Sequence, residues 1–403
     1  LEVNRWKVLS WIAVSELFAL SLWFSASAIL PELKVVWNLN SVMQAWVTAS
    51  VQIGFIVGAF ISSYFGLADR FNARKVFVIS ALLGAIFNGL LILADNAFLG
   101  LTLRLLTGIT LAGVYPTAVK LLSQWFPNRR GIAIGVLIGA LTLGSALPHF
   151  IVVFISSINW KLVIIISSAL ALISSAIMNW VLVDAPASVN RTPVSFQLLR
   201  KVIANKPVML ANYGYFGHMW ELYAMWTWLP VFLSASLTSY SPQISPWLSA
   251  LFAFISIGIG GAIGCVVGGY YADKMGRSRL TIIAMSVSAF CALVIGFTFG
   301  HSTWLTFLVA LIWGVSVIAD SAQFSAAITE FSEVEYVGTA LTFQMSIGFL
   351  ITIFSINLIP VIQKQIGWAW VFGLLSIGPI LGIIAMSRLR HFENRKNESN
   401  ICV

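Results

Sequence analysis

Apolar runs of about 20 residues, each closed by a short polar break, recur along nearly the whole chain. Twelve of them cover residues 8–30, 44–66, 76–94, 98–122, 131–153, 161–183, 207–235, 247–270, 280–299, 303–327, 338–361 and 367–388. A helix rises about 1.5 Å per residue, so runs of this length reach across a hydrocarbon core of about 30 Å. The pattern predicts an all-α membrane protein with twelve transmembrane helices (spans one to twelve).

The longest polar interruption, DAPASVNRTPVSFQLLRKVIANK at 184–206, carries Pro186, Pro193 and four basic residues between spans six and seven. It divides the chain into an N-terminal six-helix bundle at 1–183, a cytoplasmic linker at 184–206, a C-terminal six-helix bundle at 207–390 and a cytoplasmic tail at 391–403. Two charged loops point to a duplication. GLADRFNARK, Gly66 to Lys75, follows span two, and GYYADKMGRSR, Gly269 to Arg279, follows span eight. An offset of 204 residues aligns Ala68-Asp69-Arg70 with Ala272-Asp273-Lys274 in the 403-residue chain. A repeat at half the chain length reads as two copies of a six-helix unit rather than a solenoid. Transporters commonly place their substrate site between such halves, near the bilayer midplane.

Composition agrees with a membrane protein: 59% of the residues are apolar and 9% charged, against roughly 25% charged in a soluble domain. The net charge of +9 would suit a nucleic-acid partner, but its distribution argues against one. With the N-terminus inside, all but four of the 23 Lys and Arg fall in cytoplasmic loops or at their helix ends. Lys34, Lys161 and Lys364 fall outside, and Arg104 lies within a span. That is the positive-inside bias, which sets topology. Cys265, Cys291 and Cys402 show no metal or disulfide spacing. The first apolar run is too long for a signal peptide and is read as a retained span.

The second charged loop resembles the loop motif of the major facilitator superfamily, roughly Gly-x-x-x-Asp-Arg/Lys-x-Gly-Arg-x-Arg/Lys. It matches at Gly269, Asp273, Lys274, Gly276, Arg277 and Arg279. The first copy departs, with Phe65 at the leading Gly and Asn72 at the turn Gly. Asn tolerates a left-handed turn, so the turn is expected to persist there. RLLTGITLAG, Arg104 to Gly113, resembles the family's helix 4 pattern of an Arg followed by spaced glycines. The resemblance covers essentially the whole chain. WFSASAILPEL and GHMWELYAMWTW are similar to bacterial transporters loosely grouped with nitrate and cyanate carriers. The nitrate branch has an Arg in helices 2 and 8, whereas spans two and eight carry none in their middle. The resemblance implies the superfamily fold and a monomer in the bacterial inner membrane, with both termini cytoplasmic and no cofactor. It also implies a central cavity lined by helices 1, 4, 7 and 10.

An ionisable side chain at the bilayer centre costs about 2.5–3.5 kcal/mol on insertion scales, so each is a functional candidate. Glu16, Arg104, His218, Glu221 and Asp320 stand out. At about 100° per residue, Glu16, Trp23 and Ser27 share a face of span one. Arg104, Gly108, Leu111 and Tyr115 share one of span four, and His218, Glu221 and Trp228 one of span seven. Trp313, Asp320 and Gln323 share one of span ten. Arg104, Trp23, Tyr115, Trp228, Trp313 and Gln323 are therefore substrate-binding candidates; Glu16, His218, Glu221 and Asp320 are proton-coupling candidates. Glu221 follows His218 by one turn, where side chains meet and can trade a proton. Arg104 can equally be read as an inert partner of Glu16 or Asp320, and His218 as a packing residue. Near the outer end of span five, Pro148 is expected to break the helix beside His149.

In the family the loop Asp is thought to bridge the halves and hold the inside closed. Asp69, Arg70, Asp273, Lys274, Arg277 and Arg130 are accordingly gating candidates, with Arg129, Glu333 and Glu335 as candidate partners. SEVE, Ser332 to Glu335, has the capping-box form at the start of span eleven. The chain has no phosphate-binding loop and no Ser or Cys nucleophile motif beside His218 and Glu221. These features favour a non-enzymatic, proton-coupled transporter of a small polar or anionic organic solute. A proton-driven efflux pump for drugs or metabolites is the alternative, and an intramembrane lipid-handling protein is the outlier.

Overall fold

The computed structural model describes residues 4–65, 71–126, 130–155, 159–184, 196–241, 246–333 and 336–401. Span one is made of α1 (Arg5–Leu20) and α2 (Leu30–Val36), span two is α3 (Ser41–Phe65), and span three is α4 (Ala73–Gly89). Span four joins α5 (Ala97–Leu111) to α6 (Tyr115–Trp125); spans five and six are α7 (Arg130–Ile155) and α8 (Trp160–Trp180). A short helix, α9 (Phe196–Ala204), precedes span seven, α10 (Lys206–Tyr240). Span eight links α11 (Pro246–Ala253) to α12 (Gly261–Met275) through a π-helical segment at Phe254–Gly260. Span nine is α13 (Arg277–Val294), span ten α14 (Thr303–Ala319) with α15 (Ser321–Phe331), and span eleven α16 (Val337–Ile366). Span twelve opens on α17 (Trp368–Val371) and continues as α18 (Ile377–Ile401), which carries the helix into the expected tail.

Among the described residues, ten stretches are helical, long and apolar enough to cross a membrane. The two spans outside that set are one, which is interrupted, and seven, whose interior carries His218 and Glu221. Asparagine starts many of the helices. Asn4, Asn72, Asn96, Asn159 and Asn205 each accept a backbone N–H of the first turn, satisfying donors that the helix cannot pair itself.

The packing repeats with the duplication. Span one packs on five and six, two on four, and three on four and six. Six helices on, seven packs on eleven and twelve, eight on ten, and nine on ten and twelve. The halves meet where span two runs along eleven and span five along eight. Spans two and four approach backbone to backbone: a Cβ on Gly54 would run into the Leu105 carbonyl, and one on Gly108 into the Val51 carbonyl. Gly108 therefore belongs to this contact rather than to a cavity face.

Four local expectations change. Asn72 is not left-handed (φ −59°, ψ 119°) but caps span three through its side chain, accepting from Arg74 N and Lys75 N. Its counterpart Gly276 does take the turn conformation, with φ 89°. Pro148 lies inside α7 without ending it. Span eleven starts at Val337 after Tyr336, and Ser332 instead terminates span ten with its hydroxyl unbonded; Glu335 lies outside the described residues. Finally, spans one, four and ten are not continuous rods, which changes the faces drawn from a regular helix.

Substituting Gly108→Ala should lower the thermal unfolding midpoint in detergent, since overpacking of this kind costs about 1–3 kcal/mol. Gly135→Ala, where an added Cβ meets nothing within 4 Å, should leave it unchanged. Equal midpoints for the two variants would contradict the close span two–span four contact.

Candidate functional site

Span one stops being α-helical at Leu20 without a Pro or Gly in the sequence that follows, SLWFSA. Leu22 N and Trp23 N bond three residues back, to Ala19 and Leu20, leaving carbonyls of the interruption in need of donors. Arg104 supplies them. Its Nη1 donates to Leu22 O at 2.8 Å, and its Nη2 donates to Trp23 O. Nη1 also reaches Ser25 Oγ and Asn88 Oδ1, each at 3.2 Å, and Nε points to Val47 O at 3.5 Å. Asn88 completes the cluster, accepting from Ser25 Oγ at 2.7 Å and donating to Ser168 Oγ at 3.0 Å. The guanidinium is wholly buried and pairs with neither Glu16 nor Asp320 among the described contacts. Contrary to its expected place facing a solute, its fork closes on the backbone of span one.

The interruption projects Trp23 and Phe24 into the seam between the halves. Trp23 lies 5.3 Å from Phe55, 5.7 Å from Tyr223 and 5.8 Å from Phe349, centroid to centroid. Phe24 reaches Trp226 at 6.0 Å, and Phe55 meets Phe349 at 4.8 Å. Beside this cluster Thr352 Oγ1 donates to Gln52 Oε1 at 2.8 Å, from span eleven to span two. The indole nitrogens of Trp23 and Trp226 are buried without a hydrogen-bond partner. Glu16, two turns before Trp23, is completely buried with neither carboxyl oxygen bonded. Its neighbours are fixed: Ser174 Oγ donates to Ser15 O at 2.6 Å, and Gly144 lets span five close on Leu17. Tyr115 is the first residue of α6.

The acids of the C-terminal half are arranged differently from the expectation. His218 does not meet Glu221. Its Nδ1 lies 2.9 Å from Asp320 Oδ1, with both side chains buried, while Nε2 is unbonded. Glu221 accepts from Ser288 Oγ at 2.5 Å and from Trp313 Nε1 at 2.7 Å. Span ten is interrupted at Asp320, between α14 and α15. Trp313, within α14, and Asp320, at the interruption, meet different partners of span seven. Trp313 also packs edge-on against Phe372 at 5.3 Å, and Trp228 donates to Ile356 O at 2.9 Å. Both indoles thus bond within their own half and are not walls of the seam. Gln323, past the interruption, bonds to Arg277 Nη1 at 2.8 Å rather than facing a solute.

The described parts of the two charged loops also close within their own halves. Arg277 Nε bonds Glu330 Oε1 at 2.6 Å at the end of span ten, and Asp273 Oδ1 lies 3.9 Å from its Nη1. Lys274 donates to Tyr270 Oη at 2.5 Å. In the first copy, Arg74 Nε bonds Asp184 Oδ1 at 2.7 Å and Nη1 bonds Asn179 O at 2.8 Å, at the end of span six. The hydrogen bond from Arg74 holds the Asp184 carboxyl below its ordinary value. Adjacent helix ends of one bundle are in reach of each other without any closure of the halves. Asp69, Arg70 and Arg129 lie outside the described residues; Arg130 opens α7, and its side chain is not described.

Residues absent from the candidates prove central: Asn88 and Gln52, with Ser25, Ser288, Thr352 and the aromatic partners Tyr223 and Phe349. Their signal is present, as uncharged polar residues inside apolar runs, but the ionisable groups overshadow it.

Two six-helix bundles meeting at a seam of buried aromatic and unbonded polar groups define a membrane transporter rather than an enzyme. The chain belongs to the Major Facilitator Superfamily, whose sequence pattern matches residues 12–356. It is 24% identical over 395 residues to the gallate transporter of Pseudomonas putida, covering 89% of this chain and 86% of that one. It is 25% identical over 357 residues to the 4-hydroxybenzoate transporter PcaK of the same species, covering 79% and 78%. A solved structure of the nucleoside transporter NupG, in a mutant form, superposes with a TM-score of 0.75 at 14% identity. The match spans 95% of this chain and 99% of that one, so the two share the fold.

Arg104→Gln should lower the thermal unfolding midpoint steeply, since each buried acceptor left unpaired costs about 1–3 kcal/mol. Arg104→Lys should recover only part of the loss, because an ammonium cannot fork onto two carbonyls. A full recovery with Lys would show that charge, not the fork, holds span one.

Proposed function

We propose that the protein is a secondary active transporter that moves a small organic anion with an aromatic ring together with protons. Glu16 is the observation that carries this reading. A carboxyl buried in a bilayer with neither oxygen bonded is available to a proton or a ligand, and such groups mark transport pathways. The aromatic seam offers ring faces for stacking, and the free indole N–H groups of Trp23 and Trp226 are donors suited to a carboxylate. The names of the gallate and 4-hydroxybenzoate transporters point to the same solute chemistry. In this proposal the His218–Asp320 pair is a second proton-handling group, and the seam contacts Gln52–Thr352 and Phe55–Phe349 separate and re-form as the halves rock. The bacterial inner membrane, with both termini on the cytoplasmic side, is the proposed location.

One feature favours a second reading. An acid two turns from an aromatic cluster also suits an amphipathic cation, which is the chemistry of an efflux pump.

Proteoliposomes under an imposed proton gradient separate the two readings. An inward acid gradient should accelerate uptake of labelled 4-hydroxybenzoate at least several-fold and leave tetraphenylphosphonium unaffected. Glu16→Gln should abolish the acceleration while sparing exchange of the solute at equal pH. Proton-driven export of the cation alone would establish the second reading, and an undiminished gradient response in Glu16→Gln would remove Glu16 from the coupling.

A further inference from the structure

A hollow of about 500 Å³ opens on the basic end of the C-terminal half. It lies between the loop joining spans eight and nine, the end of span ten and the extension of span twelve. Lys274, Arg277, Arg279 and Arg390 line it, together with Asp273, Glu330 and Glu393.

The three acids already have partners. Glu330 and Asp273 face Arg277. Glu393, from the extension of span twelve, accepts the backbone N–H of Arg277 at 2.8 Å and of Ser278 at 3.2 Å. Arg277 is correspondingly engaged by Glu330 and Gln323. Lys274 lies over the Tyr270 ring at 4.2 Å. Arg279 and Arg390 are exposed and make no ion pair or hydrogen bond with an acid among the described residues. Two guanidiniums without an acid partner, beside a Lys274 ammonium bonded only to a neutral hydroxyl, thus line a concave surface whose acids face Arg277 and the start of span nine. The topological bias explains how many Lys and Arg lie at this end, but not their convergence. Tyr270 and Tyr271, 57% and 46% exposed, stand beside the hollow, and exposed aromatic residues of this kind mark the membrane–water interface.

We propose that this hollow binds a phosphate-bearing anion, held by Lys274, Arg279 and Arg390. Each guanidinium presents a fork of N–H donors that matches two phosphate oxygens, and the ammonium adds a point charge. The phosphate comes from the headgroup of an anionic phospholipid or from free phosphate in solution. Basic pockets between helices suit such headgroups, and the exposed tyrosines near Lys274 are of the type that favours the membrane–water interface. The site is separate from Glu16 and from the aromatic seam and does not depend on which solute is carried.

The test uses the purified full chain in an uncharged detergent. One arm adds inorganic phosphate against chloride at equal ionic strength. The other adds phosphatidylglycerol against phosphatidylcholine in the micelles. At saturation at least one probe should raise the thermal unfolding midpoint by about 3 °C. The rise should vanish in Arg279→Gln/Arg390→Gln and persist in Lys364→Gln, which lies near the opposite end. A rise with phosphate alone identifies the free anion, and a rise confined to phosphatidylglycerol identifies the headgroup. Native mass spectrometry of the unmodified chain counts retained phosphatidylglycerol, which keeps the lipid arm independent of how the double variant folds. The proposal is overturned if neither probe exceeds its control, or if the double variant responds as the unmodified chain does.

Discussion

A guanidinium inside a bilayer is tolerated only where enough acceptors surround it, and in this protein the acceptors come from a helix that has been opened to provide them. Arg104 and the interrupted stretch of span one therefore require each other. Without the arginine the carbonyl of Trp23 would be buried and unpaired and that of Leu22 would keep only the Ser25 hydroxyl; without the interruption the arginine would lack partners. Asn88, Ser25 and Ser168 extend the bond network to spans three and six. The position of Trp23, and with it the seam where the halves meet, follows from this one arrangement.

The two halves share a plan but distribute their polar groups unequally. In the N-terminal half the arginine is satisfied and the acid, Glu16, is left open. In the C-terminal half Glu221 is bonded on both oxygens, by Ser288 and Trp313, and Asp320 lies against His218 without a hydrogen bond at Oδ1. A buried carboxyl bonded on both oxygens is costly to disturb; one bonded on neither is free to respond.

Most of the fold could be read from the sequence, because apolar runs, the charge bias and the repeated loop are properties of whole segments. The family shows in Gly269 to Arg279, its weaker twin at Gly66 to Lys75 and Arg104 to Gly113, and its pattern matches residues 12–356. The candidate site was legible only in part. Glu16, Trp23, His218 and Asp320 stand out because charge and indole are rare in lipid, but their partners do not follow from the pattern. Each partner was inferred from a regular helix of 3.6 residues per turn. The interruptions at Leu20, Leu111 and Asp320 defeat that geometry, and no Pro or Gly announces the first of them. An interruption whose carbonyls are met by a side chain from another span leaves no local mark.

The loops that begin spans three and nine descend from one pattern yet solve the same problem by different means. Asn72 covers the free N–H groups of its helix with its own side chain. Gly276, having none, leaves them to Glu393, which is 116 positions beyond Arg277. The start of span nine is consequently finished only after spans ten to twelve have been synthesised. A fusion or truncation ahead of Glu393 would thus reach into the second loop and spare the first, so the C-terminal extension is a working part of the bundle and not a neutral place to attach a label.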